Sequence, residues 1–237
     1  MENKRSVTSP ASTGAPTVAD RLRREAVARL ARRREVDLDL DDLATATGLD
    51  VAAVREVFPR RDDLLSALVL DAYNAMSDHA EQAADEAEKA GKSLLDRWVA
   101  ICRGVRAWAL AHADEYALIW GQPVPGYTAP PQTMAAGART VLALVAVPRA
   151  AQEAGILAEY QDEPPFAEGM AANVASLSAG LLAGLPDQVI ARMLVVWTQL
   201  HGMTGFEVYG HIAGVAGDPE AFFIHAARDM GTYVGIR

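Results

Sequence analysis

Five histidines (His79, His112, His201, His211 and His225) and one cysteine, Cys102, are the residues of this 237-residue chain best suited to metal or nucleophilic chemistry. No two of the histidines stand three or four residues apart, so no helix face presents a paired imidazole site. His112 with Asp114 and Glu115 comes nearest to a metal cluster, and it reads as a helix end. Cys102 has Arg103 and Arg106 nearby, which would favour a thiolate. Beside Ile101 on an apolar stripe, however, it reads as an inert buried thiol. A single cysteine also excludes an intrachain disulfide framework and a cysteine-rich zinc or iron–sulfur site. The G-x-S-x-G, P-loop, G-x-G-x-x-G and H-E-x-x-H patterns do not occur. The sequence therefore predicts no enzyme, no catalytic residue, no metal and no cofactor.

A different chemistry is suggested by aromatic residues on three successive segments: Trp98 and Trp108, then Tyr116 and Trp120, then Tyr127 after a proline-rich loop. Together with Met134, Asn173, Trp197 and His201 they would line a pocket for a small, largely apolar molecule, with a few polar groups fixing its orientation. The same residues admit a plainer reading, in which Trp98, Trp108 and Trp197 are core and His201 is a satisfied buried histidine.

The scaffold for these residues reads as helical from Thr17 onward. Val18, Leu22, Ala26 and Leu30 recur every four residues, with Arg21, Arg23, Arg24, Arg29, Arg32, Arg33 and Arg34 on the remaining surface. Thr17 or Ser12 caps this first helix. Asp39 caps a short run from Leu40 to Thr47 that stops at Gly48. Asp50 caps a second run that ends at Phe58, before Pro59. Asp62 and Asp63 then open a long amphipathic stretch reaching Lys89 and stopping at Gly91.

Further helices are predicted from Ser93 to Ala113 and from Asp114 to Gly121, followed by a loop from Gln122 to Pro131 that holds four prolines. A helix from Thr133 to Gly155 carries a kink or break at Pro148. Phe166 to Leu185 follows. Pro186 then starts a helix to about Gly210, and Asp218-Pro219 starts the last, to about Tyr233. No window sustains a period of two, so the chain is expected to be all-α, with eight to ten helices. Residues 1–16 are rich in Ser, Thr and Pro and too poor in apolar side chains to offset chain entropy, so a disordered tail is predicted there.

Within Asp39 to Phe58 three positions meet the demands of a helix-turn-helix. Ala44 is small where two helices cross closely. Gly48 tolerates the positive φ of a tight turn. Val54 supplies a branched apolar anchor in the second helix. A helical hairpin packed inside a bundle, with Arg55 and Arg61 as solvated surface, is the other reading of these residues.

The stretch Val18 to Ala72 resembles the N-terminal domain of TetR-type transcriptional regulators, including the junction Phe58-Pro59-Arg60-Arg61-Asp62-Asp63-Leu64-Leu65 into a long fourth helix. Arg61 stands where the family has a junction lysine. Arg55 and Val57 stand at its usual Tyr and His positions, and Arg32 to Val36 where a glycine is common. Trp197…His201-Gly202 resembles the Trp…His-Gly signature of one C-terminal class of these regulators.

The resemblance implies an N-terminal three-helix DNA-binding domain over 17–61 and a helical-bundle ligand-binding and dimerisation domain over 62–237. It also implies a homodimer formed by the last two helices, with Ile190, Leu194, Val195, Phe206, Phe222, Phe223 and Met230 supplying apolar area. The partners would be a double-stranded DNA operator and a small-molecule effector that releases it. Thr45, Asp50, Val51, Ala53 and Arg55 would face the DNA, with Arg60 and Arg61 on phosphate. A chain that kept this fold as a ligand-binding or interaction module, with weak or lost DNA binding, is the alternative, supported by Asp50 and Glu56 beside the groove.

The charge bears on this choice. The chain holds 22 basic and 31 acidic side chains, a net of −9 that taken whole argues against nucleic acid. Residues 1–61 hold 12 basic and 10 acidic side chains, whereas residues 62–237 hold 10 and 21. The acidic excess thus belongs to the ligand and dimer part. Weak non-specific DNA binding that depends on a few arginines is expected. The longest apolar run, Val141 to Val147, is far short of a membrane span, and no secretory signal is visible. A soluble cytoplasmic protein is expected.

Overall fold

Thr17 and Asp20 cap each other at the start of the first helix. The Thr17 hydroxyl oxygen accepts from the Asp20 N–H at 3.1 Å, and Asp20 Oδ2 accepts from the Thr17 N–H at 3.0 Å. The computed structural model describes residues 16–33, 38–159 and 164–237. The other predicted cap, Ser12, the rest of the tail up to residue 15, and Arg34 to Val36 lie outside the described residues.

Among the described residues the chain forms ten helices and no strand. They are α1 (Val18–Arg33), α2 (Leu40–Thr47), α3 (Val51–Val57), α4 (Arg61–Lys89), α5 (Leu94–Ala111), α6 (Ala113–Trp120), α7 (Pro131–Glu153), α8 (Glu168–Ser178), α9 (Asp187–Val208) and α10 (Pro219–Val234). Two compact units divide between Leu64 and Leu65.

In the first unit, α1, α2 and α3 pack on one another. Leu22, Ala26, Leu43, Ala44 and Val54 are fully buried. Asp39 Oδ1 accepts from the N–H groups of Asp41 and Asp42, at 2.8 and 3.0 Å, which fixes where α2 begins. Gly48 ends it at φ 63°, the left-handed region that a side chain resists. Asp50 holds the N-cap position of α3, as expected, although its side chain makes no cap hydrogen bond.

The second unit is built around α5, which lies against α6, α7, α9 and α10. Its Trp98, Ile101, Cys102, Val105 and Trp108 are all buried. α10 approaches so closely that a Cβ on Gly231 would sit 2.9 Å from Trp98 Cδ1, which explains a glycine inside a helix. Ser93 caps α5 through the Asp96 N–H at 3.1 Å, and Asp218 caps α10 through the Ala221 N–H at 2.9 Å.

Polar side chains lock the remaining helices. Arg139 of α7 donates to Glu81, Asp78 and Asn74 of α4 at 2.6–3.0 Å, and the Ser77 and Thr140 hydroxyls meet at 2.9 Å. Arg106 of α5 pairs in two-pronged fashion with Glu207 of α9, at 2.7 and 2.6 Å.

Three expectations need correction. α7 continues through Pro148, so the expected kink or break is not a break; Pro148 is buried with Val147 and Ala151 on the core face. α8 stops at Ser178 rather than near Leu185, where Gly180 and Gly184 favour turns, although Leu182 and Leu185 stay buried. Pro186 is the N-cap of α9, one position earlier than predicted. Among the described residues one helix, α7, is long and apolar enough by length and composition to cross a membrane. Its hydrogen-bonded Arg139 and its buried Thr133 and Thr140 mark it as a packed helix of this bundle.

Candidate functional site

The first candidate surface is the outer face of α2–turn–α3. Ala44 and Val54 face inward and Gly48 turns the chain, so Ala52, Arg55, Glu56 and Val57 of α3 face solvent. Of the residues singled out by sequence, Thr45, Asp50, Arg55 and Arg60 are exposed, and Val51, Ala53 and Arg61 are half-buried. Each arginine of the set is paired with an acid: Arg55 with Asp41 at 2.8 Å, Arg60 with Asp63 at 2.7 Å and Arg61 with Asp62 at 3.3 Å. Arg60 donates to Asp63 and holds its carboxyl below the ordinary carboxylate range. Such exposed pairs are worth little, so a phosphate can displace the acid.

Two α1 arginines read as plain surface prove to be struts. Arg21 donates to the Thr47 carbonyl at the C-terminus of α2, and Arg29 donates to the Asp42 carbonyl at 3.1 Å. A basic residue on the polar side of an apolar stripe carries no sequence signal for such a contact.

The second candidate site joins α6 to α9. Trp120 stacks on His201 with ring centroids 3.8 Å apart and planes 23° from parallel. Trp197 meets both rings edge-on, at 5.2 Å from Trp120 and 4.2 Å from His201. Tyr116 lies beneath, donating its hydroxyl to the His201 carbonyl at 3.0 Å, with the same oxygen 3.5 Å from His201 Nδ1. Tyr73 of α4 completes the group, edge-on to Trp120 at 6.1 Å.

Burial pushes the His201 imidazole down to about 3, so the ring is neutral near pH 7. Burial likewise pushes the Tyr116 hydroxyl up. Trp120 Nε1 and His201 Nε2 are both buried, and neither has a protein hydrogen-bond partner. Buried polar atoms rarely go unmatched. Trp108 Nε1, in the core, is unmatched as well, but among the described residues only in this group do two such atoms lie on stacked rings.

Four of the nine predicted ligand residues, Tyr116, Trp120, Trp197 and His201, thus come together. Burial pushes the Tyr73 hydroxyl up, and Tyr127, of the other five, lies near enough to add to that push electrostatically. The remaining four lie apart. Trp98 is core, donating from Nε1 to the Ala227 carbonyl at 2.9 Å. Trp108 is buried and stacks on His112, 5.4 Å away. The Tyr127 hydroxyl donates to Ser66 Oγ at 3.1 Å. Met134 is 76% exposed, and Asn173 is exposed on the outer face of α8. Tyr73 escaped the sequence reading because it lies on the apolar stripe of α4, where nothing separates a core tyrosine from a site residue. Cys102 is buried, with its thiol pushed up by desolvation, as an inert cysteine requires.

Residues 98–230 match the tetracyclin repressor-like C-terminal domain, which takes in α5 through most of α10. The HTH-type transcriptional regulator Rv1816 of Mycobacterium tuberculosis is 31% identical over 210 residues, covering 83% of this chain and 86% of that protein. The chain belongs to the TetR family of transcriptional regulators. Its TetR-type fold is matched by the crystal structure of SCO4313, with a TM-score of 0.69 at 26% identity over 90% of this chain and 94% of that one. The TetR family regulator PfmR from Thermus thermophilus shares the fold, with a TM-score of 0.56 at 16% identity over 91% of this chain and 97% of that one. The matched C-terminal domain contains Tyr116, Trp120, Trp197 and His201, and Tyr73 lies outside it.

Proposed function

We propose that this regulator is a homodimeric repressor that meets its operator in the cytoplasm and leaves it when a small, largely apolar molecule binds the Tyr73–Tyr116–Trp120–Trp197–His201 group. The observation that carries the DNA half is the locked turn of the reading unit. Buried Ala44 and Val54 and left-handed Gly48 leave the outer face of α3 free to enter a major groove. Thr45, Asp50, Val51, Ala53 and Arg55 then face the bases, and Arg60 and Arg61 hold phosphate. Two such helices in a dimer would read half-sites about 34–36 Å apart.

Dimerisation through α9 and α10 is supported by Val195, Phe206, Phe222 and Tyr233, large apolar side chains left exposed on those two helices. A ligand touching Tyr73 acts on α4, the helix whose first residue is Arg61. It shifts the DNA equilibrium only by its differential affinity for the two states.

One observation favours a second reading, an interaction module with little DNA affinity. Arg55, Arg60 and Arg61 each already have an acidic partner. Binding to duplex DNA from the chain's own promoter at several salt concentrations separates the two. The repressor reading expects log affinity to fall steeply with log salt, by about 0.9 per phosphate neutralised, and Arg61→Ala to weaken binding. Absence of association at moderate salt, or equal binding by both proteins, refutes it.

A further inference from the structure

If the aromatic group is the ligand site, as proposed above, its two unpartnered nitrogens narrow the chemistry of the effector. The Tyr116 hydroxyl proton is committed to the His201 carbonyl at 3.0 Å, so the lone pairs of that oxygen face His201 Nδ1 at 3.5 Å. The tautomer with its proton on Nδ1 suits that approach and leaves Nε2 of the neutral ring as an acceptor. Trp120 Nε1, on the ring stacked against it, is a donor only. The site therefore offers one acceptor and one donor on adjoining rings, both buried and both unmatched by protein.

Around them, Tyr73, Tyr116 and Trp197 supply aromatic surface and no formal charge. A charged ligand group would enter this low-dielectric site without a counter-ion, at a cost that a neutral group avoids. Trp120, Trp197 and His201 are only part-buried, and a Cβ on the adjoining Gly202 would meet nothing within 4 Å.

We infer that the effector is an uncharged, flat, mostly apolar molecule bearing a hydroxyl, which donates to His201 Nε2 and accepts from Trp120 Nε1 while its rings lie against Trp120 and Trp197.

The test uses three probes with one ring system and three charges: 2-naphthol, 2-naphthoate and 2-naphthylmethylammonium. Each is titrated into the full-length protein carrying ¹⁵N-labelled tryptophan, with the Trp120 indole signal assigned through Trp120→Phe. 2-Naphthol is expected to move that signal saturably, and the two charged probes to leave it in place at equal concentration. His201→Phe keeps the aromatic stack but removes Nε2, and should weaken 2-naphthol binding by about tenfold or more. The wild-type fold of the variant is checked by its other three indole signals.

Equal or tighter binding of the ammonium probe would identify a cation cage and overturn the inference. Unchanged binding by His201→Phe overturns it as well. A Trp120 signal that ignores all three probes assigns the nitrogens to water, with the same result. Duplex DNA binding is measured on the same samples. If DNA binding is intact but the site takes no neutral probe, this inference alone fails. If the probe binds but no DNA does, the repressor reading fails instead.

Discussion

His201 is the residue where environment most changes intrinsic chemistry. Its folded value of about 3 lies well below that of an exposed histidine, about 6.5, because burial penalises the charged ring. A depressed histidine contributes its full share of stability above the unfolded value. That share is lost as pH falls from about 6.5 towards 3, by about 1.4 kcal/mol per pH unit, because only the unfolded chain takes up the proton. Wild type should therefore lose more stability than His201→Phe between pH 6.5 and 4.5 in parallel denaturant titrations. Equal slopes would contradict the assignment. Gly48 is the second decisive residue. At φ 63° with only Arg21 Nη2 near its Cβ direction, at 4.0 Å, its replacement meets backbone strain rather than a clash. Gly48→Val should destabilise by roughly 1–2 kcal/mol in thermal or denaturant unfolding.

The residue scale also shows what was legible beforehand. Ala44, Gly48 and Val54 could be read because a helix-turn-helix is local, with its caps, turn and anchor within about twenty residues of chain. The aromatic site could not be read as surely. Trp98 and Trp120 carry the same sequence signal, and only long-range packing sends one to an α10 carbonyl and the other onto His201. Met134 and Asn173 lie apart from that group for a related reason, since α7 and α8 turn those positions to solvent.

At the scale of elements, helix boundaries followed caps and breakers closely wherever a side chain fixed them, as at Thr17, Asp39, Ser93 and Asp218. They drifted where packing decided, as at Pro148 and at the end of α8. The pairings between elements were invisible in the sequence. Arg106 and Glu207, 101 residues apart, form a pair with each side chain only 14% exposed, joining α5 to α9. Removing one partner of a largely buried pair leaves the other uncompensated. Glu207→Gln should cost about 3 kcal/mol by urea unfolding, and a change below a few tenths would show the pair to be incidental.

For the molecule as a whole, the formal −9 conceals a division that suits a regulator. The acidic excess lies beyond residue 61, and residues 1–61 hold 12 of the 22 basic side chains. The exposed apolar side chains on α9 and α10 predict a dimer. Phe206→Glu combined with Phe222→Glu should give a monomer in sedimentation, with the helical content unchanged. A double variant that remains dimeric would move the interface elsewhere.

Whether α3 and the Arg60–Arg61 junction bind duplex DNA is decided by equilibrium binding of the full chain to its own promoter fragment across a salt series, for wild type and Arg61→Ala. Wild type should show steep salt dependence. Arg61→Ala should bind more weakly at every salt, with the log–log slope shallower by about one for each phosphate no longer neutralised. Salt-independent association, or superimposable curves for the two proteins, would contradict a DNA-binding role for this surface.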